Sequence, residues 1–228
     1  CFRFYRAKML CPDAKPNAAH KKLAEWEQAG KLLAVVTQNI DGLHQSAGSR
    51  NVYELHGSVH RNYCEKCGKF YDLDHILHTT GVPRCQCGGI IKPDVVLYEE
   101  ALNDKVIDGA VNAIAQADLL IVGGTSLNVW PAAGLINYYR GSRLALINKS
   151  PVARDLDAGL VITDPIECCR SCEGRSGSAF NGIYARFAQE KARPNLAFCR
   201  VFFLEIQKAV EIVKKQAKML FKKPSKNF

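Results

Sequence analysis

The stretch from Ala34 to Gly57, AVVTQNIDGLHQSAGSRNVYELHG, constrains the fold of this chain more than any other. A β-branched run, Val35-Val36-Thr37, stops at Gln38, Asn39 and Asp41, polar side chains that a strand interior excludes. Gly42 and Gly48 supply turns, and a second short run, Val52 to Leu55, delivers His56 just before Gly57. Two strands that each end in chemically competent residues are the pattern of an open α/β sheet, where ligands sit beyond the carboxyl ends of the strands. An amide, a carboxylate and an imidazole are therefore expected around one crevice. Taken singly, Asn39 and Asp41 read as turn formers that bond their own backbone, and His56 as a half-buried histidine.

Four of the ten cysteines, Cys64, Cys67, Cys85 and Cys87, form two tight pairs. Gly68, Gly88 and Gly89 follow them, as in knuckles that turn backbone amides toward thiolate sulfur. Tetrahedral zinc takes four such thiolates in structural sites. The single residue between Cys85 and Cys87 makes the second knuckle the tighter one. His60, His75 and His78 are competing ligands with poorer spacing. Paired thiols without a secretory signal point to a reducing compartment, here the cytoplasm, rather than to a disulfide framework.

Charge divides the chain. Residues 168–228 carry 13 of the 31 Lys and Arg but 4 of the 22 Asp and Glu, so the rest balances at 18 of each sign. A nucleic-acid partner is thus not expected for the body and is admissible only for the basic tail. No apolar run approaches the length of a membrane span.

Residues 1–33 read as helical, with a helix opening at Asn17 and stopping near Gly30. A helix is expected from about Lys105 to Ala117, then a buried parallel strand, 118–122, running into Gly123-Gly124-Thr125-Ser126. Glycines there let backbone amides approach phosphate. Pro131 and Gly134 lead into a helix ending near Tyr139, and strands follow at 143–149 and 160–164. From Phe203 to Phe221 apolar residues recur at 3-4 spacing, which predicts an amphipathic helix.

TQNIDGLH followed by ELHG resembles the signature of the sirtuins, the NAD-dependent protein-lysine deacylases. The PNAAH segment around His20 and the Gly124-Thr125-Ser126 element, in the same order, are similar too. The resemblance runs to about residue 166 and implies a Rossmann-like parallel sheet with a small zinc-ribbon domain. Its domains would be 1–57 and 93–166 for the sheet, 58–92 for the zinc ribbon and 167–228 for an unassigned tail. NAD and Zn2+ would be the cofactors, and acetyl-lysine proteins the substrates, giving nicotinamide and O-acetyl-ADP-ribose. His56 would be the general base, with Asn39 and Asp41 beside the nicotinamide and ribose. Gln38, Ile40, Gly124, Thr125, Ser126, Asn148 and Lys149 would complete the NAD site, and Val95, Val96 and Tyr98 the substrate edge. Tyr98-Glu99-Glu100 stands where the family more often has Phe-Gly-Glu. Phe2 and Tyr5 match positions that carry Tyr and Arg in relatives accepting acidic acyl groups, so a neutral acyl group is expected.

No glycine-rich loop of the family's opening kind precedes residue 34, and the chain starts at Cys1. A fragment is therefore expected, with the first, central strand missing, an open slot in the sheet and no turnover of NAD. The alternatives are an inactive NAD- and zinc-binding relative and a zinc-ribbon nucleic-acid binder.

Overall fold

A computed structural model describes residues 2–97, 100–124, 132–148, 158–163 and 201–205. A short helix, α1 (Phe2–Phe4), continues as a wide helical turn, Tyr5–Met9. Helix α2 (Ala18–Gln28) starts at Asn17, whose Oδ1 accepts the backbone N–H of His20 at 3.1 Å while the His20 ring turns back to Asn17. This reciprocal cap satisfies amides that the first helical turn leaves unpaired. Gly30 ends the helix region at φ +69°, a conformation that other residues adopt at a cost. The inward face carries Leu23 and Trp26, each buried and contributing about 1.5–3 kcal/mol.

Six strands form one wholly parallel sheet: β1 (Leu32–Thr37), β2 (Val52–Glu54), β6 (Leu119–Gly123), β7 (Leu144–Ile147), β8 (Leu160–Ile162) and β9 (Val201–Glu205). Their order is β2-β1-β9-β6-β7-β8. Helix α5 (Asp104–Ala115) covers one face over Ala34, Val36, Leu120 and Val122. Helix α2 covers the other over Leu32, Val35, Leu119 and Ile121. Burial on both faces explains why β1 and β6 read as continuous apolar runs.

The expected open slot is not there, so a missing central strand no longer argues against turnover of NAD. The tail strand β9 lies between β1 and β6, parallel to both. The helical spacing read from Phe203 also gives way, since Phe203, Leu204 and Glu205 belong to this strand. Backbone pairing on two sides outweighs a periodicity that those residues satisfy equally well in either conformation. Residues 206–221 lie outside the described set. The helix expected to end near Tyr139 is a 3-10 helix, Ala132–Tyr138.

A second, antiparallel sheet has the order β4-β3-β5, from β3 (Gly57–Cys64), β4 (Phe70–Tyr71) and β5 (Ile91–Val95). Pro93 sits in the middle of β5. β5 is an edge strand, and its register slips between Ser58 and Asn62, so a missing N–H is tolerated there. Short helices α3 (Leu43–Ser46) and α4 (Leu73–His78) complete the architecture. Tyr5 and Leu10 pack into the small sheet's core with Val59, Leu73, Ile76 and Ile91.

Candidate active site and metal centre

All six strands of the large sheet point the same way, so their carboxyl ends share one rim. β1 ends at Thr37, and Gln38 and Asn39 follow it into the interior, 0% and 4% exposed. The Thr37 hydroxyl accepts the Asn39 N–H at 3.0 Å and holds the turn. Both polar atoms of the Gln38 amide and Oδ1 of Asn39 are buried with no partner among the described residues. Each such group costs about 1–3 kcal/mol, so their retention fits a polar ligand that supplies the missing bonds.

His56 follows β2 and is fully buried. Its Nδ1 donates to the carbonyl of Gln38 at 3.1 Å, because a carbonyl only accepts. The proton on Nδ1 makes Nε2 the basic nitrogen. Leu55 N–H donates to Thr37 O at 2.9 Å, which ties the two strand ends together.

The loop between Asn39 and α3 is clamped from β3. Val59 N–H donates to Ile40 O at 3.0 Å, and His60 Nε2 donates to Asp41 O at 2.9 Å. The His60 ring lies against Gly42, where an added Cβ would stand 2.8 Å from it. Asp41 Oδ1 accepts Leu43 N–H at 3.0 Å, so this carboxylate forms the turn that its residue type suggests.

Gly57 brings the small sheet against the rim. A Cβ there would stand 1.9 Å from the Asp94 carbonyl oxygen, and its φ is +75°. Val96 N–H donates to His56 O at 3.1 Å, so the segment after β5 starts beside the imidazole. Glu100 accepts from Leu97 N–H at 2.9 Å and from Lys92 Nζ at 2.7 Å, closing the loop onto β5. A cavity of about 220 Å³ opens there, lined by Tyr63, Lys92, Val95, Val96 and Glu100 among others.

The thiols of Cys64, Cys67, Cys85 and Cys87 all lie within 4.8 Å of one another. Sulfur separations are 3.4 Å for Cys64–Cys87 and 3.6 Å for Cys67–Cys85. Tetrahedral zinc at 2.3 Å from each sulfur sets them roughly 3.8 Å apart, so the donor set fits. Lys66 N–H points to Cys64 Sγ at 3.4 Å, and a Cβ at Gly89 would stand 2.6 Å from the same sulfur. The Tyr71 hydroxyl donates to Cys85 Sγ at 3.1 Å. That bond first, and then the Cys87 backbone N–H, draw the Cys85 thiol down to about 6. His60, His75 and His78 stand outside the cluster.

The sequence model of the Sir2 family matches residues 1–131. The chain belongs to the Sir2 family. It is 64% identical over 167 residues to an NAD-dependent protein deacetylase of Clostridium acetobutylicum, covering 72% of this chain and 68% of that protein. A protein of the same name from Clostridium perfringens is 65% identical over the same shares. Among solved structures, a Sir2 with p53 peptide and NAD+ is 39% identical at a TM-score of 0.67, covering 73% of each chain. A Sir2Tm bound to a propionylated peptide is 40% identical, with the same TM-score and coverage.

In this Sir2 chain the fold gathers Gln38, Asn39, Ile40, Asp41 and His56 into one neighbourhood, and the end of β6 places Gly124 on the same rim, its N–H donating to Ile147 O at 3.0 Å. Asn148 follows β7, two strands out from β9. Thr125, Ser126, Lys149 and Tyr98 lie outside the described residues. Sequence reasoning missed Arg61, which reaches Glu54 at 2.7 Å and Asp94 at 2.8 Å and so ties the end of β2 to β5. It also passed over His60 as a clamp. Neither has a local signal, because the partners come from another sheet or from across a loop.

Proposed function

We propose that this chain is an NAD-dependent protein-lysine deacetylase in which His56 is the general base. The observation that carries the reading is the buried His56, held through Nδ1 by the Gln38 carbonyl beside the Gln38 amide and the Asn39 Oδ1, which have no partner among the described residues. NAD-dependent protein deacetylase is the name of relatives that are about two thirds identical to this chain over the matched region.

When bound, NAD supplies an electrophilic ribose carbon and nicotinamide as the leaving group. Gln38 would hold the ribose, and Asn39 and Asp41 would order the nicotinamide and ribose side of the pocket. Nε2 of His56 takes the proton of a ribose hydroxyl while Nδ1 stays bonded to Gln38 O, so the ring keeps one tautomer throughout. Gly124, with Thr125, Ser126, Asn148 and Lys149, serves the remainder of the dinucleotide.

The acyl-lysine peptide adds as a strand along Val95 and Val96, with Tyr98 beyond them, where backbone bonds supply affinity with little demand on sequence. A neutral acyl group is preferred. Tyr5 is buried in the small sheet's core, and Arg6 is committed to the carbonyls of Ile76 and Gly81 at 2.8 and 2.9 Å. Zinc at the four cysteines is structural, since four thiolates leave a tetrahedral ion no open position. Thiols kept for a metal suit a reducing compartment such as the cytoplasm. Among the described residues no helix is long and apolar enough to cross a membrane.

His56→Ala should lower deacetylation of an acetyl-lysine peptide by roughly 10²–10⁴-fold, with zinc content unchanged. Near-normal turnover in that variant would assign the base to another residue.

A further inference from the structure

The large sheet is two half-sheets that never pair directly. β1 bonds β2 on one side, β6 bonds β7 and β7 bonds β8 on the other, and among the described residues only β9 joins them. Neighbouring strands lie about 4.8 Å apart, so without a central strand β1 and β6 would face each other across a gap of about 9.5 Å. Both edges of that gap would carry unpaired N–H and C=O groups, flanked by buried apolar clusters on both faces. Such a position is a binding site for a parallel, apolar, five-residue strand.

Val201–Glu205 suits it in three respects. Four consecutive apolar residues, Val201 to Leu204, match a strand covered on both sides. The register is continuous against β6, from Leu119↔Val201 to Gly123↔Glu205, and shifts once against β1. The apolar run also ends where its neighbours end: Glu205 is level with Thr37 and Gly123, so the first charged residue falls at the rim. The resulting order β2-β1-β9-β6-β7-β8 is the doubly wound 3-2-1-4-5-6 pattern, with its first strand supplied from the carboxyl-terminal side of the chain.

We propose that this slot is filled in cis by Val201–Glu205, and that filling it sets the spacing between Gln38-Asn39 after β1 and Gly124 after β6. The tail segment is then part of the dinucleotide site rather than an appendage to it. The second half of this proposal rests on the NAD reading above. No glycine occurs after Gly182, so β9 brings a strand but no glycine-rich phosphate turn.

Hydrogen exchange on the full wild-type chain is the first test. Amides of 202–205 should exchange as slowly as those of 34–37, and exchange at loop rates would overturn the assignment. The full chain carrying Phe203→Pro is the second, because proline removes a ladder N–H from the centre of β9 whatever its side chain touches. Protection of 32–37 and 119–123 should fall by roughly 100-fold or more while one zinc per chain is retained. NAD affinity, read by titration calorimetry, should weaken by at least about tenfold, a loss of some 1.4 kcal/mol. Phe203→Val, which keeps the N–H and a strand-forming side chain, should retain the protection of 32–37 and 119–123 that Phe203→Pro loses. Unchanged protection in Phe203→Pro would refute the proposal, as would a dimer whose protection is lost on dilution, since the strand would then come from a second copy. If the wild type fails to bind NAD while protection responds as described, the NAD reading fails and the filled slot stands.

Discussion

In the four-cysteine module the chemistry comes from residues 64–87, whereas the crevice draws its groups from strand ends as distant as Thr37, His56 and Gly124. The module's sulfurs already face one another, with the Tyr71 hydroxyl and the Lys66 N–H turned toward them. The crevice keeps the Gln38 side-chain amide and the Asn39 Oδ1 buried with no partner among the described residues. One region is built for a small ion that stays; the other holds polar groups in readiness for a larger ligand that leaves. Stability and readiness are thus divided between two sheets that meet at Gly57.

The largest expected effect breaks the module. Cys64→Ser should release the metal and unfold residues 57–95, because structural zinc contributes on the order of 10 kcal/mol to such a fold. Metal analysis together with hydrogen exchange reads this, and native protein without zinc would remove the assignment. Gly57→Ala attacks the junction. Its Cβ would stand 1.9 Å from the Asp94 carbonyl oxygen in a left-handed backbone, so a loss of at least about 2 kcal/mol is expected in chemical denaturation.

A change inside the crevice should act with the opposite sign. Gln38→Leu replaces a buried amide that has no partner among the described residues by an apolar group of similar size. Stability without ligand should therefore rise by about 1 kcal/mol while NAD affinity falls. A melting temperature that drops in the absence of NAD would mean that the amide is already satisfied. The smallest effect concerns the clamp on the loop between the regions. His60→Ala should cost about 0.5–1.5 kcal/mol and raise KM for NAD more than it lowers kcat. His60→Gln, which keeps a donor for the Asp41 carbonyl, should recover most of the loss. Equal kinetics for the two variants would show that the bond does not order the loop.

Much of this comparison was legible in the chain itself. Asn17 as the cap of α2, the run into Thr37 and the buried strand 119–123 follow from patterns a few residues long. The Asp41 turn was also foreseeable, since its side chain bonds an amide two residues on. Harder to read was Pro93, whose place in β5 depends on that strand being an edge with a slipped register. Arg61 and His60 belong to the same class, because their partners are set by how the two sheets meet.

The sequence by itself determined the zinc knuckles, the polar strand ends and the membership of the Sir2 family. In each of these the chemistry needs particular residue types at a fixed short spacing, and nothing else satisfies that requirement. Only the tertiary structure decided that Val201–Glu205 is the central strand. Parallel pairing uses the same backbone bonds for any apolar segment, so no local pattern says which one enters the sheet. The gap between β1 and β6, apolar on both faces and five residues long, makes that choice.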